Sequence, residues 1–169
     1  MKYNKQIPLV KNIGLQNNFH NTNTIGLRKA YESNKSTYVE GDTLFVAGTK
    51  GLKDWYDDFT KLPFGLTKYA DRYKDAENAL LVRENTKATK LVGHSLGSSV
   101  SVELTKQHPD KQLELKALYA SPFIDSGSKT HENRFRHKYD VISLLDRGAK
   151  TVDIGLVNPL QSHSYLGYD

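Results

Sequence analysis

The stretch TKLVGHSLG, residues 89–97, constrains this chain more than any other part of it. Its core, Gly93-His94-Ser95-Leu96-Gly97, is a Gly-x-Ser-x-Gly pattern, in which glycines on both sides of a serine permit a sharp turn from a strand into a helix. Three small residues in five recur by chance in loops, so the flanks decide. Thr89, Lys90, Leu91 and Val92 lead in as a short buried strand. Residues 96–108 follow as a helix carrying Val100, Val102 and Leu104, ended by Pro109. A serine at such a corner is presented as a nucleophile, and the chain reads as a serine hydrolase.

The remaining periodicity supplies a sheet for that corner. Residues 37–39 and 43–47 are β-branched and aromatic and flank the turn Glu40-Gly41-Asp42, so they read as two strands; residues 113–120, 134–139 and 151–157 read as three more. Residues 68–87 form the clearest helix, with Tyr69, Ala70, Tyr73, Ala76, Leu80 and Leu81 at helical spacing. Residues 25–33 and 53–60 read as shorter helices, the latter closed by Pro63 and Gly65. Strands alternating with helices predict a compact α/β fold whose mostly parallel sheet carries helices on both faces. At 169 residues the chain is one domain, residues 1–169, and the Asn-rich, weakly periodic start predicts a loosely packed N-terminal arm over about residues 1–24.

Composition narrows the chemistry. Cysteine is absent, which removes disulfides, a thiol nucleophile and thiolate metal sites together. The net charge of +5 comes from 24 basic and 19 acidic side chains scattered through the chain, with no basic run and no basic stripe interleaved with aromatics. It therefore reads as solvated surface with no nucleic-acid partner, while leaving room for peripheral contact with an anionic membrane. The mean hydropathy is −0.61 and no apolar run approaches a membrane span. Residues 7–10 are too short for a signal-peptide core, so the expected location is cytoplasmic or, given a Lys-, Asn- and Tyr-rich composition typical of AT-rich genomes, within a viral particle. No phosphate-binding loop, cofactor motif or metal-ligand spacing is present; His131, Glu132 and His137 read as surface residues.

A serine hydroxyl needs a base to take its proton and an acid to orient the base, in the chain order Ser, acid, His. Of the six histidines, His108, His131, His137 and His163 follow Ser95. His108 lies at the far end of the helix after the serine, and His131 and His137 lie before or within a strand. His163, in the loop after the last strand, is the best base. Asp140, at the end of the strand over 134–139, is the best acid; Asp125 is the runner-up, and Asp146 lies farther on. The oxyanion hole would use the backbone N–H groups of Leu96, after the nucleophile, and Thr49, after the strand over 43–47, where Gly48 lets the chain turn.

These residues resemble the class 3, fungal-type lipases of the α/β-hydrolase superfamily. Leu44-Phe45-Val46-Ala47-Gly48-Thr49 is similar to the family's strand ending in Arg-Gly-Thr or Arg-Gly-Ser, with Ala47 where Arg is usual. Leu52-Lys53-Asp54-Trp55-Tyr56-Asp57-Asp58-Phe59 is similar to its Trp-containing lid segment. Gly93-His94-Ser95-Leu96-Gly97, Tyr139-Asp140-Val141-Ile142 and Ser162-His163-Ser164-Tyr165 complete the resemblance. It implies Ser95 as nucleophile, Asp140 as acid, His163 as base and the Thr49 and Leu96 amides as oxyanion hole. The implied activity is hydrolysis of lipid esters, as a triacylglycerol lipase or phospholipase A1, with no cofactor. Trp55, Tyr56 and Phe59 form a lid or lipid contact, or else pack in the core. The competing expectation is a catalytically silent lipase-like binding or structural module.

Overall fold

The computed structural model describes residues 7–50, 62–82, 87–121, 133–138, 140, 143, 148–152, 163–164 and 168, with side chains from residue 18 in the first helix and from residue 70 in the second. Helix α1 spans Ile7–Glu32 and is followed by strands β1, Thr37–Glu40, and β2, Thr43–Val46. Then come helix α2, Leu62–Leu81, strand β3, Lys90–His94, and helix α3, Leu96–Gln107. Strands β4, Glu114–Tyr119, β5, Arg134–His137, and β6, Lys150–Val152, complete the order. The six strands form one sheet in sequential order, with β1 antiparallel to β2 and every later pair parallel. The fold is α/β with a mostly parallel sheet.

The hairpin register pairs Glu40 with Thr43, so the turn is Gly41-Asp42, and Gly41 takes a φ of 60° that its missing Cβ permits. From there, alternation sorts the side chains. Phe45 and Val92 point to one face, where they meet Leu27 and Ala30 of α1 together with Ala117, Tyr119 and Tyr168. Leu44, Val46 and Leu91 point to the other, against Ala76 and Leu80 of α2 and Val100 and Leu104 of α3. Fully burying a side chain of this size is worth about 1.5–3 kcal/mol, so the two clusters hold the helices on opposite faces of β2 and β3.

Three expectations change. Residues 12–24, read as part of a loose arm, lie inside α1, where Asn23 and Thr24 are buried. The Asn23 amide donates to the Tyr119 hydroxyl at 3.0 Å, and that hydroxyl in turn contacts His20 Nδ1 at 2.9 Å, so polar side chains tie this helix to β4. Pro63 and Gly65, read as helix breakers, fall in the first turn of α2, where Pro sacrifices no intrahelical hydrogen bond. Within α2, Ala70 and Leu81 are exposed although both were assigned to the apolar stripe; Ala76 and Leu80 carry it. No helix among the described residues is long and apolar enough to cross a membrane.

Candidate active site

Strand β3 delivers Ser95 to the sheet edge, and its backbone shows what the flanking glycines are for. Ser95 adopts φ 53° and ψ −126°, a conformation that L-residues rarely take and that costs of order 1–3 kcal/mol unless the surroundings impose it. They do. A Cβ on Gly93 would lie 2.6 Å from the Gly97 carbonyl oxygen and from Ser98 Cα, and one on Gly97 would overlap the Val46 carbonyl. The Ser95 N–H donates to the Tyr119 carbonyl at 2.8 Å and the Ser98 hydroxyl to the same oxygen at 3.0 Å, clamping the turn to β4. Helix α3 starts at Leu96, so its unpaired N–H groups and the positive end of its dipole lie beside the serine.

Residues beyond β5 and beyond β6 add two further groups at that edge. Ser95 Oγ lies 2.8 Å from His163 Nε2, and His163 Nδ1 lies 3.0 Å from both carboxylate oxygens of Asp140. With Nδ1–H donating to the carboxylate, Nε2 is left as acceptor for the serine proton, which is the tautomer a general base requires. Asp140 is completely buried, and the Ser143 hydroxyl donates to its Oδ2 at 2.6 Å. A buried carboxylate held by two donors cannot swing away from the imidazole. Ser143, which sequence reasoning missed, stands three residues after Asp140, a spacing suited to a local side-chain bond.

His94, given no role in the sequence reading, is nearly fully buried at the centre of a second chain of hydrogen bonds. Its Nε2 lies 2.9 Å from the backbone oxygen of His163, and because a carbonyl only accepts, Nε2 carries the proton. Its Nδ1 therefore accepts from the Tyr31 hydroxyl at 2.6 Å, while the Tyr31 oxygen accepts the Gly48 N–H at 3.0 Å. Burial first, and the neighbouring His163 second, push the pKa of His94 down to about 3, so it stays neutral.

Thr49 and Leu96 line one cavity of about 310 Å³ together with Asn34, Ser36, Lys50, Asp71, Arg72 and Asp75. Both expected oxyanion donors thus border the same space. Gly48 beside it has no positive φ; its role is close approach, since a Cβ there would lie 2.8 Å from Ser95 Cβ and 2.9 Å from the His94 carbonyl oxygen. The cavity's lining residues are polar apart from Leu96. Arg72 is partly buried, with its pKa lowered by that burial, and Nη1 makes a long 3.5 Å hydrogen bond to the Lys35 carbonyl.

The remaining described histidines have structural partners. His108 Nε2 meets Glu77 at 2.8 Å, joining the end of α3 to α2. His137, expected on the surface, is instead buried, with its ring stacked on Tyr168 at 3.9 Å and its pKa lowered by desolvation. The reason is its position as the last residue of β5, facing the sheet's own core. Trp55, Tyr56, Phe59, Asp125, His131, Glu132 and Asp146 lie outside the described residues, as does the helix expected over 53–60. Among the described residues, no group of three or more His, Asp or Glu side chains is placed to hold a metal ion. No protein-family model, curated protein or solved structure matches the chain.

Proposed function

We propose that the chain is a serine carboxylester hydrolase that works through an acyl-enzyme on Ser95. The observation that carries the reading is the continuous line from Ser95 Oγ through His163 to Asp140, 2.8 Å and then 3.0 Å, anchored on a serine held at φ 53°. His163 Nε2 accepts the hydroxyl proton as Oγ attacks the ester carbonyl, and the N–H groups of Leu96 and Thr49 receive the developing oxyanion. The imidazolium, oriented by Asp140, then protonates the departing alcohol. Water, deprotonated by the same Nε2, releases the acid and restores the hydroxyl. No step calls on a cofactor.

For the substrate, the class 3 lipase resemblance favours lipid esters, of the triacylglycerol or phospholipid kind. The cavity beside Thr49 and Leu96 favours an ester with a polar side, because Lys50, Asp71, Arg72 and Asp75 would be poorly matched to an acyl chain alone. A substrate panel separates these: a soluble short-chain aryl ester, a phospholipid in vesicles and a triacylglycerol emulsion, each with the unmodified chain and with Ser95→Ala. The reading expects Ser95-dependent release of acid from the aryl ester and from at least one lipid, with phospholipid preferred to triacylglycerol. Turnover of the aryl ester alone would replace lipids with small soluble esters. Turnover of none would end the hydrolase reading.

A further inference from the structure

The Tyr31, His94 and Gly48 chain is not needed for the acyl-transfer steps above, yet it touches the site at both ends. One end is the N–H of Gly48, the residue before Thr49, whose own amide is an oxyanion donor in the proposed mechanism. The other end is the backbone carbonyl of His163, the base. Between them, three hydrogen bonds of 3.0, 2.6 and 2.9 Å run in one direction, each group donating to the next. Aligned bonds in a buried setting polarise one another and resist bending. The connected residues come from four separate parts of the chain: the end of α1, the segment just after β2, the last residue of β3, and a position beyond β6.

We propose that His94 is a positioning residue that fixes the catalytic base by donating Nε2–H to the His163 carbonyl, with Tyr31 setting its tautomer and tying it to the oxyanion loop. This rests on the hydrolase reading. The His163 side chain is itself bonded to Asp140 and Ser95. The bond to the carbonyl supplies a second, main-chain point of attachment. Tyr31 matters because its hydroxyl, already accepting the Gly48 N–H, has its proton to give, and donating it to Nδ1 leaves the ring proton on Nε2, where the carbonyl needs it. Without that donor the ring is free to place its proton on Nδ1 and lose the attachment.

Two substitutions of equal charge separate positioning from packing. In His94→Gln the amide nitrogen stands as many bonds from Cα as the imidazole Nε2 and can still donate to the His163 carbonyl. In His94→Asn the shorter amide can satisfy Tyr31 but cannot reach that carbonyl. For a short-chain aryl ester the proposal expects His94→Asn to lower kcat by about 10²-fold, the scale of a displaced catalytic group, with KM moved far less. His94→Gln should recover to within about tenfold of the unmodified chain, and Tyr31→Phe should fall between them. Rates are normalised to the folded fraction from circular dichroism. Equal losses in Gln and Asn, or no loss in either, would overturn the proposal. If neither His94 variant folds, an unchanged kcat in folded Tyr31→Phe overturns it and a reduced kcat with little change in KM supports it. Absence of Ser95-dependent labelling by a fluorophosphonate in the unmodified chain would instead remove the hydrolase reading and the proposal with it; labelling that is present but indifferent to His94 and Tyr31 removes the proposal alone.

Discussion

The half of the sheet that holds the nucleophile and the half that supplies its partners are built differently. Strands β2, β3 and β4 pair over four and then five register positions and lie between packed clusters on both faces. Among the described residues, strand β5 pairs with β4 at Leu118 with Arg134 and Tyr119 with Phe135, and β6 adds three pairs to β5. Ser95 is therefore placed by backbone fitted against backbone, at Gly93 and Gly97. Among the described contacts, Asp140 and His163 are bonded by Ser143 and to one another, by the Asp140 N–H donating to the His137 carbonyl, and by the His94 contact to the His163 main chain. The difference teaches that the nucleophile depends on close backbone packing in addition to hydrogen bonds, whereas the described contacts of the acid and base are hydrogen bonds, so the two halves should fail in different ways.

The largest effect is expected where the halves meet. Ser95→Ala and His163→Ala should each lower kcat on an aryl ester by about 10⁶-fold with the fold retained, and together cost little more than either alone, because they act as one unit. Steady-state kinetics on folded protein checks this; additive losses would mean that the pair does not cooperate. Asp140→Asn should follow at about 10⁴-fold, since an amide supports the wrong imidazole tautomer, and Asp125→Asn should change kcat little. The opposite ranking would transfer the acid's role to Asp125.

Stability separates the halves next. Gly97→Ala pushes a methyl into the Val46 carbonyl, which belongs to the sheet and cannot move, so a loss of about 4 kcal/mol or more is expected in urea unfolding. Gly148→Ala meets the guanidinium end of Arg134, which can swing aside, so about 1 kcal/mol is expected. Similar losses at both positions would dissolve the comparison.

Acid should expose a smaller contribution. His94, with a folded pKa of about 3 against 6.5 unfolded, and His137 and His20, both lowered by burial, bind protons more readily once unfolded. Their contribution is complete above the unfolded value and is lost as pH falls toward the folded ones, by about 2 kcal/mol from His94 between pH 6.5 and pH 5. Urea unfolding at pH 7.5, 6 and 5 should show falling stability, with a shallower fall in His94→Gln. A pH-independent midpoint would mean that His94 is not held neutral by the fold.

What could be read from the sequence was what local pattern controls. The serine corner and the strands beside it announce themselves through glycine placement and β-branched runs, and Ser95, Asp140 and His163, named from the serine motif, chain order and position beyond the expected strands, are brought within hydrogen-bonding distance. Only the end of helix α1 was legible, as the helix over 25–33, because its Asn-rich middle has weak apolar periodicity and is held by distant partners. Asn23 bonds to Tyr119, and Gly26, costly in a helix, makes room for the Phe45 ring. Tyr31 was equally hidden, since its link to His94 joins residues 63 apart and leaves no local signature.

The central claim is that Ser95 is an activated nucleophile, and covalent labelling tests it most directly. The unmodified chain is incubated at pH 7.5 with a fluorophosphonate carrying a fluorophore, alongside Ser95→Ala and a heat-unfolded control, and the modified peptide is located by mass spectrometry. The account predicts rapid stoichiometric labelling at Ser95 in the folded chain, no labelling in Ser95→Ala or after unfolding, and slow labelling in His163→Ala. A folded chain that stays unlabelled, or that is labelled equally well in Ser95→Ala, would contradict it.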